Sequence, residues 1–227
     1  MIGTICSGLV IGLFLPAVAG RFGKILPADP GLILRHLWHR PHFPKVRDVA
    51  RAQQLQHLWY KLIGVSIAWS IVLAGLFAAA RLFLPQEMAG WAPLFITLIA
   101  VCMIVDADYF LLPDFFTIPL LLTGFGASIF IPALSPMASF SGALFGYLLA
   151  TLAVFIAGGH NRELGFGDVK MLTALGAWLG VMGLNLTLLL SFFLFAIPAV
   201  IQMRRQGAYG PALGLAALIS FFIIYAN

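Results

Sequence analysis

The sequence predicts an all-α, polytopic membrane protein of about eight transmembrane helices. Three observations predict it. Of 227 residues, 62% are hydrophobic and only 9% charged, with a mean hydropathy of +1.02. A soluble domain carries about a quarter charged residues. The apolar residues also fall in long runs. A helix rising about 1.5 Å per residue needs about 20 of them to cross a hydrocarbon core of about 30 Å. Finally, the basic residues gather in a few segments between those runs.

The elements follow in order. The first run, about 2–20, reads as a retained membrane helix, because no convincing cleavage site precedes Arg21. Residues 21–60 form the one sizeable polar segment, and the stretch from Val46 to Tyr60 suits an interfacial helix with Arg47, Arg51 and Lys61 facing lipid phosphates. Further runs span about 61–84, 91–107, 114–133 and 137–158. Pro113 separates two of them, since proline cannot continue a helix as an ordinary interior residue. The last three runs, about 168–183, 184–203 and 209–226, are short and closely coupled. A break at Met182-Gly183-Leu184-Asn185 divides the first two of these.

Charge gives the orientation. With the N-terminus outside, the cytoplasmic segments hold Arg21, Lys24, Arg35, Arg40, Lys45, Arg47, Arg51 and Lys61, then Arg162 and Lys170, then Arg204 and Arg205. That places 12 of the 13 basic residues on one side, with Arg81 the exception. The positive-inside rule favours this layout, so the pI near 9.6 reflects topology and a lipid membrane as partner, not nucleic acid. Cys6 and Cys102 lie in apolar runs and read as small buried residues without a disulfide.

Against this background the carboxylates stand out. The chain has 8 acidic residues, and four fall in two clusters: Asp106, Asp108 and Asp114 in one, and Asp168 in the frame Gly165-Phe166-Gly167-Asp168-Val169-Lys170. Ionisable groups at membrane depth are costly and usually functional. The charge layout sets both clusters on the cytoplasmic side. Asp108 lies two residues after Asp106, about 200° around a helix, and cannot share its face. Asp114 falls in the first turn of the next span, where the helix dipole favours an acid. Gly165 and Gly167 permit close backbone approach and leave room for an extended peptide beside Asp168. Two aspartates in contact hold one proton between them. The ionised member can take a proton from water while the other polarises a scissile carbonyl. Spacing alone is equally compatible with Asp114 and Asp168 as helix caps and Asp106 and Asp108 as interfacial charges.

The two clusters together resemble the prepilin leader peptidases, a family within the Gly-x-Gly-Asp intramembrane aspartyl proteases. Asp106, Leu112-Pro113-Asp114 and Gly165 to Lys170 match that family's pattern in type, spacing and order. Thr117, Pro119 and Tyr209-Gly210-Pro211-Ala212-Leu213 fit the same block, and the similarity covers about residues 95–225. The resemblance implies Asp106 and Asp168 as the catalytic pair. Asp108, Asp114, Gly165, Gly167 and Lys170 would be supporting or substrate-binding residues. It implies cleavage, after a glycine, of the basic leader of type IV prepilins or type II secretion pseudopilins. The cut would fall at the cytoplasmic face of the bacterial inner membrane, with no cofactor or metal needed.

The N-terminal part departs from the pattern. Bifunctional members methylate the new N-terminus with S-adenosylmethionine and carry a loop with two zinc-binding Cys-x-x-Cys pairs, whereas residues 21–60 contain no cysteine. Gly8 to Pro16 resembles the family's opening Gly-x-x-x-Gly-Ser-Phe-Leu-Asn, with Leu13 for the serine and Pro16 for the asparagine. Methylation, S-adenosylmethionine and zinc therefore lack support in the sequence. The expected organisation is a degenerate methyltransferase-like region at 1–90 and a peptidase domain at 91–227.

Weaker signals have plainer readings. His36, His39 and His42 are spaced by three, as metal ligands can be, but Pro41 breaks the helix that would align them. Lys170 could pair with a phosphate, Glu163 or substrate, or simply anchor topology. Trp38, Trp59, Trp69, Trp91 and Trp178 mostly sit near span ends, as an aromatic belt would place them. Gly142 and Gly146 form a Gly-x-x-x-Gly helix-packing pattern. Two rival functions remain: a transporter or proton channel, which would move ions and yield no peptide product, and a non-catalytic partner of a pilus or secretion machine.

Overall fold

The computed structural model describes residues 1–23, 49–156, 166–201 and 208–226. They form seven helices and, among the described residues, no strand. These are α1 (Ile2–Gly23), α2 (Val49–Phe83), α3 (Gln86–Tyr109), α4 (Asp114–Phe130), α5 (Pro136–Ile156), α6 (Phe166–Ile201) and α7 (Gly210–Tyr225). Five contain spans long and apolar enough to cross a membrane, while α4 and α7 are shorter apolar helices. The chain is thus all-α and multi-pass. His36, His39, His42 and Gly165 lie outside the described residues.

Proline and charge mark the helix starts, as expected at Pro113 and Asp114 and, unforeseen, at Pro85 and Glu87. Pro85 precedes α3, whose first turn carries Glu87, and Pro113 precedes α4, whose first residue is Asp114. Each acid lies where the helix dipole favours it. Ser135 Oγ accepts the Ala138 N–H at 3.2 Å, satisfying one of the unpaired donors at the start of α5.

Two boundaries differ from expectation. The segment from Val49 to Tyr60 is continuous with the second span in one helix of 35 residues, not a separate interfacial helix. The break in α6 is at Gly180, with φ 64° and ψ −176°, a few residues before the expected site. Only glycine adopts that backbone readily. There the chain turns back. A Cβ on Gly146 of α5 would meet both Leu172 carbonyl carbon at 2.9 Å and Leu184 Cδ2 at 3.0 Å. A straight helix would hold residues twelve apart about 18 Å from one another.

Glycines set how closely the helices lie. A Cβ at Gly142 would fall 2.7 Å from Gly180 Cα, and Ser139 Oγ donates to the Ala177 carbonyl at 2.6 Å, so α5 lies directly on α6. Gly8 does the same for α1, where a Cβ would be 2.8 Å from Ala74 Cα of α2. Close backbone approach of this kind is how helices associate where water supplies no driving force.

The interior is aromatic. Trp178 is fully buried, with ring centroids 4.9 Å from Phe95 and 6.4 Å from Phe221. Its Nε1 donates to the Leu120 carbonyl at 2.8 Å, and Tyr225 Oη donates to the Trp178 carbonyl at 2.8 Å. Trp178 is therefore a central packing residue and not part of an interfacial belt. The expectation failed because α3, α4 and α7 all pack over α6 at this residue. Cys6 also departs from expectation: it is exposed on α1, whereas Cys102 is buried, and both thiols are free.

Candidate active site

The C-terminal end of α3, the N-terminal ends of α4 and α6, and the start of α7 converge at one end of the bundle. Asp106 is on the last full turn of α3 and is only 7% exposed. Its position is held twice. Its backbone carbonyl accepts the Phe110 N–H at 2.9 Å, and Phe110 ends the helix in the left-handed conformation, at φ 54° and ψ 34°. Its Oδ2 accepts the backbone N–H of Gly210 at 2.7 Å. Gly210 opens α7, so the carboxylate sits against the positive end of a helix dipole.

Asp168 lies in the first turn of α6 and is partly buried. Its carboxyl and that of Asp106 are near enough to interact electrostatically. The structure thus brings together the two aspartates from the two sequence clusters. Asp108 is not brought in: it is exposed, on another face of α3.

The remaining motif residues join the two clusters. Lys170 Nζ donates to Asp114 Oδ1, an ion pair between the starts of α6 and α4. That partner was not among those expected for Lys170. A Cβ on Gly167 would stand 3.0 Å from Leu112 Cβ. The Cβ side of Gly167 therefore faces Leu112; Gly165, the other glycine of the frame, lies outside the described residues. Leu112-Pro113-Asp114 and Gly167 to Lys170 are two sides of one contact.

Two residues of the site were missed as contributors. Gly210 is needed as glycine: a Cβ there would fall 2.5 Å from Asp106 Oδ2 and 2.7 Å from its Cγ. Four residues on, a Cβ at Gly214 would meet Met103 Sδ at 2.7 Å and Ile99 Cγ2 at 3.1 Å. The Gly210-x-x-x-Gly214 spacing was the available signal for a close α3–α7 contact. Tyr209, preceding Gly210, shares a 2.6 Å hydrogen bond with Ser191 Oγ and packs edge-on against Phe195 at 5.5 Å. Both partners are on the returning limb of α6. Burial holds the Tyr209 phenol above its ordinary range; the Ser191 hydrogen bond opposes this and the Asp168 charge adds to it. Tyr209 is thus a neutral phenol near Asp168 at physiological pH.

Tyr109, at the end of α3, donates its hydroxyl to the Gly20 carbonyl of α1 at 3.2 Å, which ties the N-terminal helix to this end of the molecule. Among the described residues, no three His, Cys, Asp or Glu side chains converge as a metal site would require.

Comparison with known proteins gives the chain's family. The profile of the type IV leader peptidase family matches residues 93–200, which include both aspartates. A prepilin leader peptidase/N-methyltransferase of Pseudomonas aeruginosa is 38% identical over 126 residues, covering 52% of this chain and 43% of that protein. One from Dichelobacter nodosus is 36% identical over 132 residues, covering 55% and 45% respectively. In these two alignments the chain spans under half the length of its relative. One from Pectobacterium carotovorum subsp. carotovorum is 31% identical across 95% of this chain and 90% of that protein. No solved structure matches the chain. A match that runs nearly end to end in both sequences, and a family profile over residues 93–200, lead to one assignment: the chain belongs to the type IV leader peptidase family.

Proposed function

We propose that the protein is an intramembrane aspartic endopeptidase that removes the basic leader of a type IV prepilin or a type II secretion pseudopilin. The observation that carries the reading is the placement of Asp106 and Asp168, from separate helices, at one end of an apolar bundle, near enough for their charges to interact. Family membership supports the substrate class. The charge layout supports a position in the bacterial inner membrane with that end facing the cytoplasm, where a prepilin leader lies.

In this reading one carboxylate takes a proton from water, and the water oxygen attacks the carbonyl carbon of the leader's last residue. The other carboxyl gives its proton to the carbonyl oxygen. Collapse of the tetrahedral diol breaks the C–N bond: the amine leaves with the proton that the first carboxyl took from water, and a diol hydroxyl returns its proton to the second carboxylate. Gly210 keeps Asp106 in place. The peptidase unit is residues 91–227. Methylation by S-adenosylmethionine and zinc binding are not part of the reading, because residues 21–60 lack the cysteine pairs.

The test is leader cleavage by the purified chain in detergent, followed by mass spectrometry of the product's N-terminus. Asp106→Asn and Asp168→Asn are each expected to abolish cleavage. Full activity in either variant sinks the assignment. Ion flux in liposomes with no peptide product would support a channel instead.

A further inference from the structure

We propose that the Lys170–Asp114 ion pair is a latch that sets the position of Asp168, and that neither side chain contacts substrate. The inference rests on the peptidase reading above. Both side chains are about half exposed, at 45% and 56%, so the pair sits at the surface beside the site and not within the interior.

The placement argues for positioning. Lys170 is two residues beyond Asp168, about 200° around the helix, so it pulls on the face opposite the carboxylate. Gly167, on the other side of Asp168 in sequence, rests on Leu112. The first turn of α6 is thus seated on the Leu112-Pro113-Asp114 segment at two points that flank Asp168. That segment follows directly on the helix of the other aspartate, whose end is capped by the Phe110 N–H on the Asp106 carbonyl. A short path along the chain and across the ion pair therefore joins Asp168 to Asp106.

A first helical turn has no preceding carbonyls to pair its N–H groups within the helix, and it is the part most easily displaced. Exposed ion pairs add little to stability. A displacement of about 1 Å between reacting groups can nonetheless cost about 100-fold in rate. A latch therefore has a signature: turnover falls while fold stability and substrate affinity hardly move.

The experiment measures cleavage of a prepilin by the full chain in detergent, with melting temperature alongside. Asp114→Asn and Lys170→Met are each expected to lower kcat about 10- to 100-fold, with KM within about threefold of wild type. Asp114→Lys and Lys170→Asp are each expected to be worse, and the double exchange is expected to regain most of the lost kcat. A double exchange no faster than its worse parent overturns the latch. So does a variant series in which KM rises while kcat holds, since that marks Lys170 or Asp114 as a substrate contact. A second arm needs no activity: Asp114→Cys with Lys170→Cys, in a chain lacking Cys6, should cross-link with a short bifunctional thiol reagent in membranes. Failure to cross-link also overturns the latch. A wild-type chain that cleaves while the double exchange stays inactive sinks the latch alone. A wild-type chain that cleaves no prepilin, while the cysteine pair cross-links, sinks the peptidase reading.

Discussion

The backbone N–H of Gly210 donates to Asp106 Oδ2 at 2.7 Å, across 104 residues of sequence. A helix N-terminus and a buried carboxylate satisfy one another here: α7 has an unpaired amide, and Asp106 has an acceptor with little water around it. Position 210 can hold only hydrogen as a side chain, because the carboxylate occupies the place a Cβ would take.

Gly210→Ala follows as the first prediction. The added carbon would lie 2.5 to 2.8 Å from Oδ2, Cγ and Cβ of Asp106, so the carboxylate must move. The expected result is a loss of about 100-fold in kcat. Stability should fall by about 1–3 kcal/mol, as overpacking does. Cleavage kinetics and a thermal melt on the same preparation check both. Activity within about threefold of wild type would show that Asp106 does not need this placement.

Tyr209 and Ser191 supply the second prediction. Their hydrogen bond joins the start of α7 to the returning limb of α6, and Ser191 keeps a second bond to the Leu188 carbonyl at 2.9 Å. Tyr209→Phe and Ser191→Ala should each cost about 0.5–1.5 kcal/mol of stability. Because both remove the same bond, the double variant should cost little more than either alone. Additive losses would show that the two side chains act separately.

The same tyrosine gives a pH dependence. Its phenol is held above the ordinary range near 10, with burial the largest cause. The folded chain therefore keeps this proton at a pH where the unfolded chain has lost it. The stabilising contribution is full below about pH 10 and is lost as pH rises through the higher folded value. Tyr209→Phe should flatten the alkaline limb of stability against pH, read from melts between about pH 8 and pH 12. An unchanged limb would place the alkaline sensitivity elsewhere.

Much of the site was legible before any coordinates, and for a physical reason. A carboxylate within apolar sequence is rare enough to be visible, so Asp106 and Asp168 stood out, and the proline before Asp114 marked a helix start. Residues whose contribution is a backbone group or a missing side chain left fainter traces. Gly210 acts through its N–H, and nothing in Tyr-Gly-Pro states which acceptor that N–H meets. Lys170 was visible as a charge, but its partner depends on how α4 and α6 pack. Trp178 was read as interfacial because it lies near a span end, and which helices pack over it depends on how α3, α4 and α7 meet α6.

The glycines between helices can be separated into those that need to be glycine and those that do not. A Cβ at Gly142 meets the backbone of Gly180 at 2.7 Å, and neither helix can yield without losing the other's contacts. Gly142→Ala should destabilise by about 1–3 kcal/mol. Gly75, in the middle of α2, has nothing within 4 Å of its Cβ position. Gly75→Ala should be neutral or stabilising by up to about 1 kcal/mol, since alanine loses less backbone entropy in a helix. Melting temperatures of the two variants should therefore shift in opposite directions, or only the first should shift.

Trp178 separates stability from activity. It is 10 residues beyond Asp168 on the same limb, about 15 Å away along the helix. Trp178→Phe removes the Nε1 donor to the Leu120 carbonyl and part of the ring that packs on Phe95 and Phe221. Leu120 O still has the Thr123 hydroxyl within 3.1 Å, so it is not left wholly unpaired. The cost should be about 1–3 kcal/mol, most of it from lost ring volume. Because α3, α4 and α7 all touch this residue, the melting temperature should fall while kcat at moderate temperature stays within about threefold. A large kcat loss in a chain that still melts cooperatively would mean that packing at Trp178 governs how Asp168 approaches Asp106, and that the two ends of the limb are mechanically coupled.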